Sequence, residues 1–175
     1  MPPQHSRVEQ IHPGEQFRPG RQLPAGTVGS VNRSRAAWAC FVLCVIGFLL
    51  SGYLSYEHFT GSASLLCGEG STVNCLAVTT SSWATVLGVP VAVAGLAYFV
   101  AMTLLCLPVG FNRDTGTLRL IGAGVGVLSV LYLVGVELFA VHAICLWCTG
   151  VHLVTLLLFA GVLWWRAADR RALVH

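Results

Sequence analysis

The chain of 175 residues is 55% hydrophobic and 10% charged, with a formal net charge of +3 and a mean hydropathy of +0.75. Soluble domains carry about 25% charged residues, so this composition excludes an ordinary soluble globular protein. No strand-like alternation of apolar and polar residues runs through it, which argues against a membrane β-barrel.

Residues 1–35 hold Pro2, Pro3, Pro13, Pro19 and Pro24, several glycines and five arginines, without an apolar run. They read as a disordered cytoplasmic tail. They do not read as a cleavable signal peptide, because the first apolar run starts late and is long enough to span.

Four apolar runs follow: Ala36 to Leu54, Ala84 to Leu107, Leu118 to Val136, and Ala143 to Trp165. Each approaches the ~20 residues that cross a bilayer as a helix. They predict an all-α integral membrane protein with a four-transmembrane-helix bundle over residues 36–166, followed by a short cytoplasmic tail, 167–175. Pro90 is expected in the first turns of the second helix, where proline is tolerated. Arg119, in the first turn of the third run, is expected to snorkel to the interface. Gly122-Ala-Gly124-Val-Gly126 superficially suggests a nucleotide loop, but no strand precedes it. Gly122 and Gly126 instead form a face of small residues for close helix packing. Glu137 and His142, at the end of the third run, are read as interfacial, in preference to a proton route.

All ten basic residues are arginines: 7, 18, 21, 33 and 35 in the tail, 113 and 119 between runs two and three, and 166, 170 and 171 at the end. The other two connections have none. The positive-inside rule then places both termini and the middle connection in the cytoplasm of a multi-pass cell-membrane protein.

That topology sorts the seven cysteines. Cys40, Cys44 and Cys106 lie within runs, where a free cysteine is usually a small buried hydrophobe. Cys67, Cys75, Cys145 and Cys148 fall on the outer side, where disulfides persist. Cys145-Leu-Trp-Cys148 opens the fourth run, and its spacing puts both thiols on one helix face. Such a pair can cycle between dithiol and disulfide. Its alternatives are a static staple or half of a zinc site, and Cys67 and Cys75 are not at the short spacing usual for zinc ligands. No metal is expected. Cys67 and Cys75 sit in a long Ser/Thr/Gly-rich loop, 55–83, of the kind that often carries function.

Cys67 through Cys75, Val78, Ser81, Trp83, Leu87-Gly-Val-Pro90, Gly95-Leu96, and Tyr132 to Glu137 leading into Cys145-Leu-Trp-Cys148 together resemble the vitamin K epoxide reductase family, particularly its bacterial members. The resemblance runs from about Arg35 to Trp165. It implies a four-helix bundle around a quinone of the menaquinone or ubiquinone type, capped by the outer loop. It also implies that Cys148 lies nearest the quinone, that Cys145 exchanges disulfides with Cys75, and that Cys67 completes the loop pair. Ser81 and Trp83 match loop positions that stabilise the site. Val91 and His152 stand where vertebrate members carry an Asn and a Tyr that hydrogen-bond the quinone. His152, one turn beyond Cys148, can still donate such a bond.

The activity so implied is re-oxidation of a secreted thioredoxin-like (DsbA-like) protein, with electrons passing through both cysteine pairs to the quinone. That partner is expected to be a separate protein, because only ten residues follow Trp165. Nucleic acid is not an expected partner. The alternatives are quinone or quinone-epoxide reduction for quinone recycling, and a non-enzymatic tetraspan scaffold with structural disulfides.

Overall fold

The computed structural model describes residues 25–61, 72–107 and 115–171. Helix α1 runs Ala25–Thr60. Residues 25–35, expected in the disordered tail, are therefore helical. The cause is local: Pro24 immediately precedes the helix, where proline is tolerated, and no other proline occurs before Pro90. The helix stops at Gly61, whose positive φ of 59° suits a residue without Cβ, and whose N–H bonds the Glu57 carbonyl at 3.1 Å.

After residues 62–71, a short helix α2, Cys75–Thr79, starts on Asn74, whose side chain accepts from the Ala77 N–H at 2.9 Å. A single 3-10 turn, Ser82–Ala84, leads into a two-residue-looped hairpin of β1, Thr85–Val86, and β2, Val89–Pro90. Leu87 and Gly88 both take positive φ, 54° and 81°, as a type I′ turn requires. The second apolar run thus begins as a hairpin, and Pro90 caps the helix from outside instead of lying in its first turns. Helix α3 spans only Val91–Leu105, about 22 Å.

Helix α4, Gly116–Gly135, continues into a π-helical turn, Val136–Val141, which ends on His142 with φ 55°. Helix α5 is Leu146–Arg171. Three stretches are long and apolar enough to cross a membrane: Ser34–Thr60, Gly116–Val141 and Leu146–Ala167. The fourth, α3, is apolar but falls short of the ~30 Å hydrocarbon thickness.

Helix α1 packs against α5 and α3, and α4 packs against α5 and α3. The shared core lies toward one end, where Cys40, Cys44, Phe99, Met102, Cys106, Ala123, Leu158 and Val162 are buried. Lipid gives helices no hydrophobic reason to associate, so they need small residues that let neighbours approach. Gly122 and Gly126 do this for α3: a Cβ there would collide with the Met102 sulfur and the Tyr98 hydroxyl. The expected small-residue face is the α3–α4 contact. Outward-facing side chains such as Leu49, Leu104, Leu128 and Leu157 are exposed and apolar, which suits a bilayer better than water.

Arg119 departs from expectation. It does not snorkel but is 1% exposed. Its Nε donates to the Leu105 carbonyl, its Nη2 donates to Thr115 Oγ1 at 2.7 Å, and its guanidinium lies 4.9 Å from the Trp165 ring centre. The C-terminus of α3 leaves carbonyls unpaired, and a buried cation there satisfies one of them.

Candidate redox site and its cavity

Opposite the packed core, the bundle opens into a cavity of about 130 Å³. Every long helix contributes to its wall: Ser51, Leu54 and His58 from α1, Val91, Ala92 and Gly95 from α3, Leu133 from α4, and Cys148, Val151 and His152 from α5. Val136 and Glu137 come from the π-helical turn, and Val78, Thr79, Ser81, Trp83 and Ala84 close the cavity on the loop side.

Cys145 and Cys148 are joined as a disulfide, with Cα atoms 5.1 Å apart. They are not equivalent. Helix α5 starts at Leu146, so Cys145 stands just outside it and does not share a helical face with Cys148. Its carbonyl accepts from the Thr149 N–H at 2.9 Å, and its sulfur lies 3.2 Å from the Cys148 N–H. That is the position of an N-cap residue. Cys145 is fully buried, whereas Cys148 lines the cavity.

The segment before Cys145 is tied to the loop. Val73 and Ile144 form a parallel bridge, with Ile144 N–H donating to the Thr72 carbonyl at 2.9 Å and Asn74 N–H donating to the Ile144 carbonyl at 3.2 Å. Cys75 follows Asn74 as Cys145 follows Ile144, so the pairing brings the two cysteines' segments together. Cys75 is buried and disulfide-bonded. Cys67 lies outside the described residues. Cys40, Cys44 and Cys106 are free and buried, away from the cavity and within the packed core.

The remaining candidates converge. Ser81, Trp83, Val91 and His152 all line the cavity beside Cys148. The Ser81 hydroxyl donates to the Val78 carbonyl at 2.8 Å, fixing the turn that closes the cavity. Trp83 is half exposed at the rim, and His152 is buried. Among the described residues no cluster of His, Cys, Asp and Glu is arranged to hold a metal ion.

Glu137 corrects the sequence reading. It is not interfacial but 6% exposed and part of the cavity wall. The π-helical turn widens the helix here and rotates Glu137 inward, and such turns recur at functional sites. The Cys145 backbone N–H faces its carboxyl. His142, five residues on, is exposed. Sequence reasoning also missed Ser51 and His58. With Ser55 they form an i, i+4, i+7 stripe of polar residues on α1, across the point where the apolar run ends at Leu54 and the helix continues to Thr60.

Comparison with curated proteins finds no match. Comparison with protein families matches residues 38–163 to the vitamin K epoxide reductase family. That stretch includes most of the apolar length of α1 and α5, all of α3 and α4, the closing turn, the cavity wall, Cys75 and the Cys145–Cys148 pair, and on this match the chain belongs to the vitamin K epoxide reductase family.

Proposed function

We propose that the protein is a quinone-dependent thiol/disulfide oxidoreductase of the cell membrane, which re-oxidises an extracytoplasmic thioredoxin-like protein and so supports disulfide formation. The family is one of membrane-bound, quinone-linked oxidoreductases. The observation that carries the finer reading is the position of Cys148, the half-buried member of the Cys145–Cys148 disulfide, in the wall of an apolar cavity.

The cavity suits a quinone. Val91, Ala92, Leu133, Val136 and Val151 supply apolar walls, while His58, Glu137 and His152 supply polar atoms between them. A flat apolar ring with carbonyl oxygens needs that combination. A quinone held here would supply the acceptor for the electron pair of the dithiol. Cys148 is the residue placed to deliver that pair, and Cys145 re-forms the disulfide behind it. The bridge between Val73 and Ile144 supports an exchange between Cys75 and Cys145, which would pass electrons from the loop pair inward. Cys67 and the partner protein complete that route in this reading.

The arginine distribution supports four spans with both termini in the cytoplasm and the site on the outer face. Arg119 no longer counts toward it, because it is buried, but Arg35, Arg113, Arg166, Arg170 and Arg171 keep the same bias. The short α3 fits a span whose outer part is replaced by the hairpin.

The test is reconstitution. Purified protein with menaquinone or ubiquinone should oxidise a reduced thioredoxin-like protein and form the quinol, and Cys145→Ala and Cys148→Ala should each abolish it. Normal turnover by either variant would overturn the reading. A quinone epoxide offered with a dithiol, in place of the quinone, separates this activity from epoxide recycling.

A further inference from the structure

We propose that Glu137 is the acid of the redox site, carrying a proton between the Cys145–Cys148 pair and the acceptor in the cavity. This rests on the redox reading above and adds to it a residue that the cysteine pattern does not mark.

Four observations converge on the carboxyl. It is buried in the same wall as Cys148. It is the one acidic side chain among the described residues of that wall. The Cys145 backbone N–H lies beside it, so it sits between the cavity and the segment that carries the buried half of the disulfide. It stands in the π-helical turn Val136–Val141, a rare departure from regular helix that recurs at functional sites. No arginine pairs with it among the described residues. An acceptor for one backbone N–H needs only a neutral carbonyl, whereas burying an ionisable group without a cation is expensive.

The step balances as follows. Two thiols closing to a disulfide give up two electrons and two protons, and a quinone becoming a hydroquinone accepts the same. The electron pair leaves through the Cys148 sulfur. The protonated Glu137 carboxyl gives its proton to one carbonyl oxygen of the acceptor. As the Cys145 sulfur bonds to Cys148, the Cys145 proton returns to Glu137. The Cys148 proton goes to the second oxygen.

The other titratable groups of the wall are His58 on α1 and Cys148 and His152 on α5; α3, α4 and residues 78–84 contribute none. The experiment therefore compares Glu137→Gln, Glu137→Asp and Glu137→Ala in full-length protein, with His58→Gln and His152→Gln as controls for the neighbouring histidines. Glu137→Gln keeps the acceptor for Cys145 and removes only the acid. It should lower thiol-to-quinone turnover roughly 100-fold with the thermal unfolding midpoint unchanged, while Glu137→Asp keeps most activity. Formate should restore Glu137→Ala severalfold. In protein free of quinone, the pH dependence of alkylation of the reduced pair should differ between wild type and Glu137→Gln.

Glu137→Gln turning over within twofold of wild type overturns the proposal. So does loss of activity in Glu137→Ala that formate does not relieve, with an unchanged alkylation profile, since that is the pattern of a structural residue. Wild type that fails to reduce quinone overturns the functional reading together with this one. Active wild type with unaffected Glu137→Gln removes this inference alone.

Discussion

The two ends of the bundle are built from the same four helices to opposite effect. At the Arg119 end, large residues meet small ones: a Cβ on Gly47 would enter the Phe99 ring, and Gly122 gives way to Met102. The gaps are filled, and buried Arg119 closes the end of α3. At the loop end, Ala92 and Gly95 share the wall of an open cavity with Ser51, Glu137 and His152. Small residues that bring helices together at one end here leave room for something else. Buried polar groups are costly within a bilayer, and their concentration around the cavity sets that end, where the redox site is proposed, apart from the packed end that frames it.

The sharpest way to break this contrast is to separate chemistry from stability. Cys148→Ser should abolish quinone reduction, by roughly 10³-fold or more, and leave the unfolding midpoint close to wild type once compared with reduced protein. Phe99→Ala should do the reverse. It empties the Gly47 hollow and should cost about 3 kcal/mol of stability, read as a lower unfolding midpoint in detergent, without altering alkylation of the reduced Cys145–Cys148 pair. If Phe99→Ala also silenced the cysteines, the two ends would not be independent.

A third substitution asks whether the cavity is a site or a packing defect. Val91→Phe places a ring at the start of α3, in the cavity wall. A defect would be filled, with a higher unfolding midpoint and unchanged turnover. A binding site would be obstructed, with KM for the quinone rising roughly 10–100-fold.

Much of this arrangement is legible in the sequence where hydropathy and chemistry agree. The apolar runs locate the helices, and Cys148, Ser81, Trp83, Val91 and His152 all fall in one wall. The misreadings share a cause, which is that hydropathy does not carry geometry. Thr85 to Pro90 is as apolar as a helix, so the hairpin merges into the second run; only Gly88 hints at a turn, and Leu87, unusual at positive φ, hides it. Arg119 lies near a helix end, where snorkelling is the ordinary behaviour, yet the open carbonyls of α3 draw it inside. Glu137 also lies near a helix end, and a 3.6-residue period cannot anticipate a π-helical turn that rotates it inward. Ser51 and His58 were visible as a polar stripe but carried no motif.

The smallest expected effect tests the finest claim, that His152 holds the acceptor. It is buried, faces the cavity and follows Cys148 by one turn. A polar residue inside a bundle can equally serve packing. The two roles differ in what removal changes. If the ring donates a hydrogen bond to a quinone oxygen, His152→Ala loses about 1 kcal/mol of binding, a roughly fivefold rise in KM with kcat nearly unchanged and a stable bundle. His152→Tyr, which restores a donor on the same face, should recover affinity. If the ring serves the bundle instead, His152→Ala lowers the unfolding midpoint and leaves KM where it was, and the acceptor's hydrogen bonds then fall to the other polar residues of the wall, such as His58, Glu137 and Ser51.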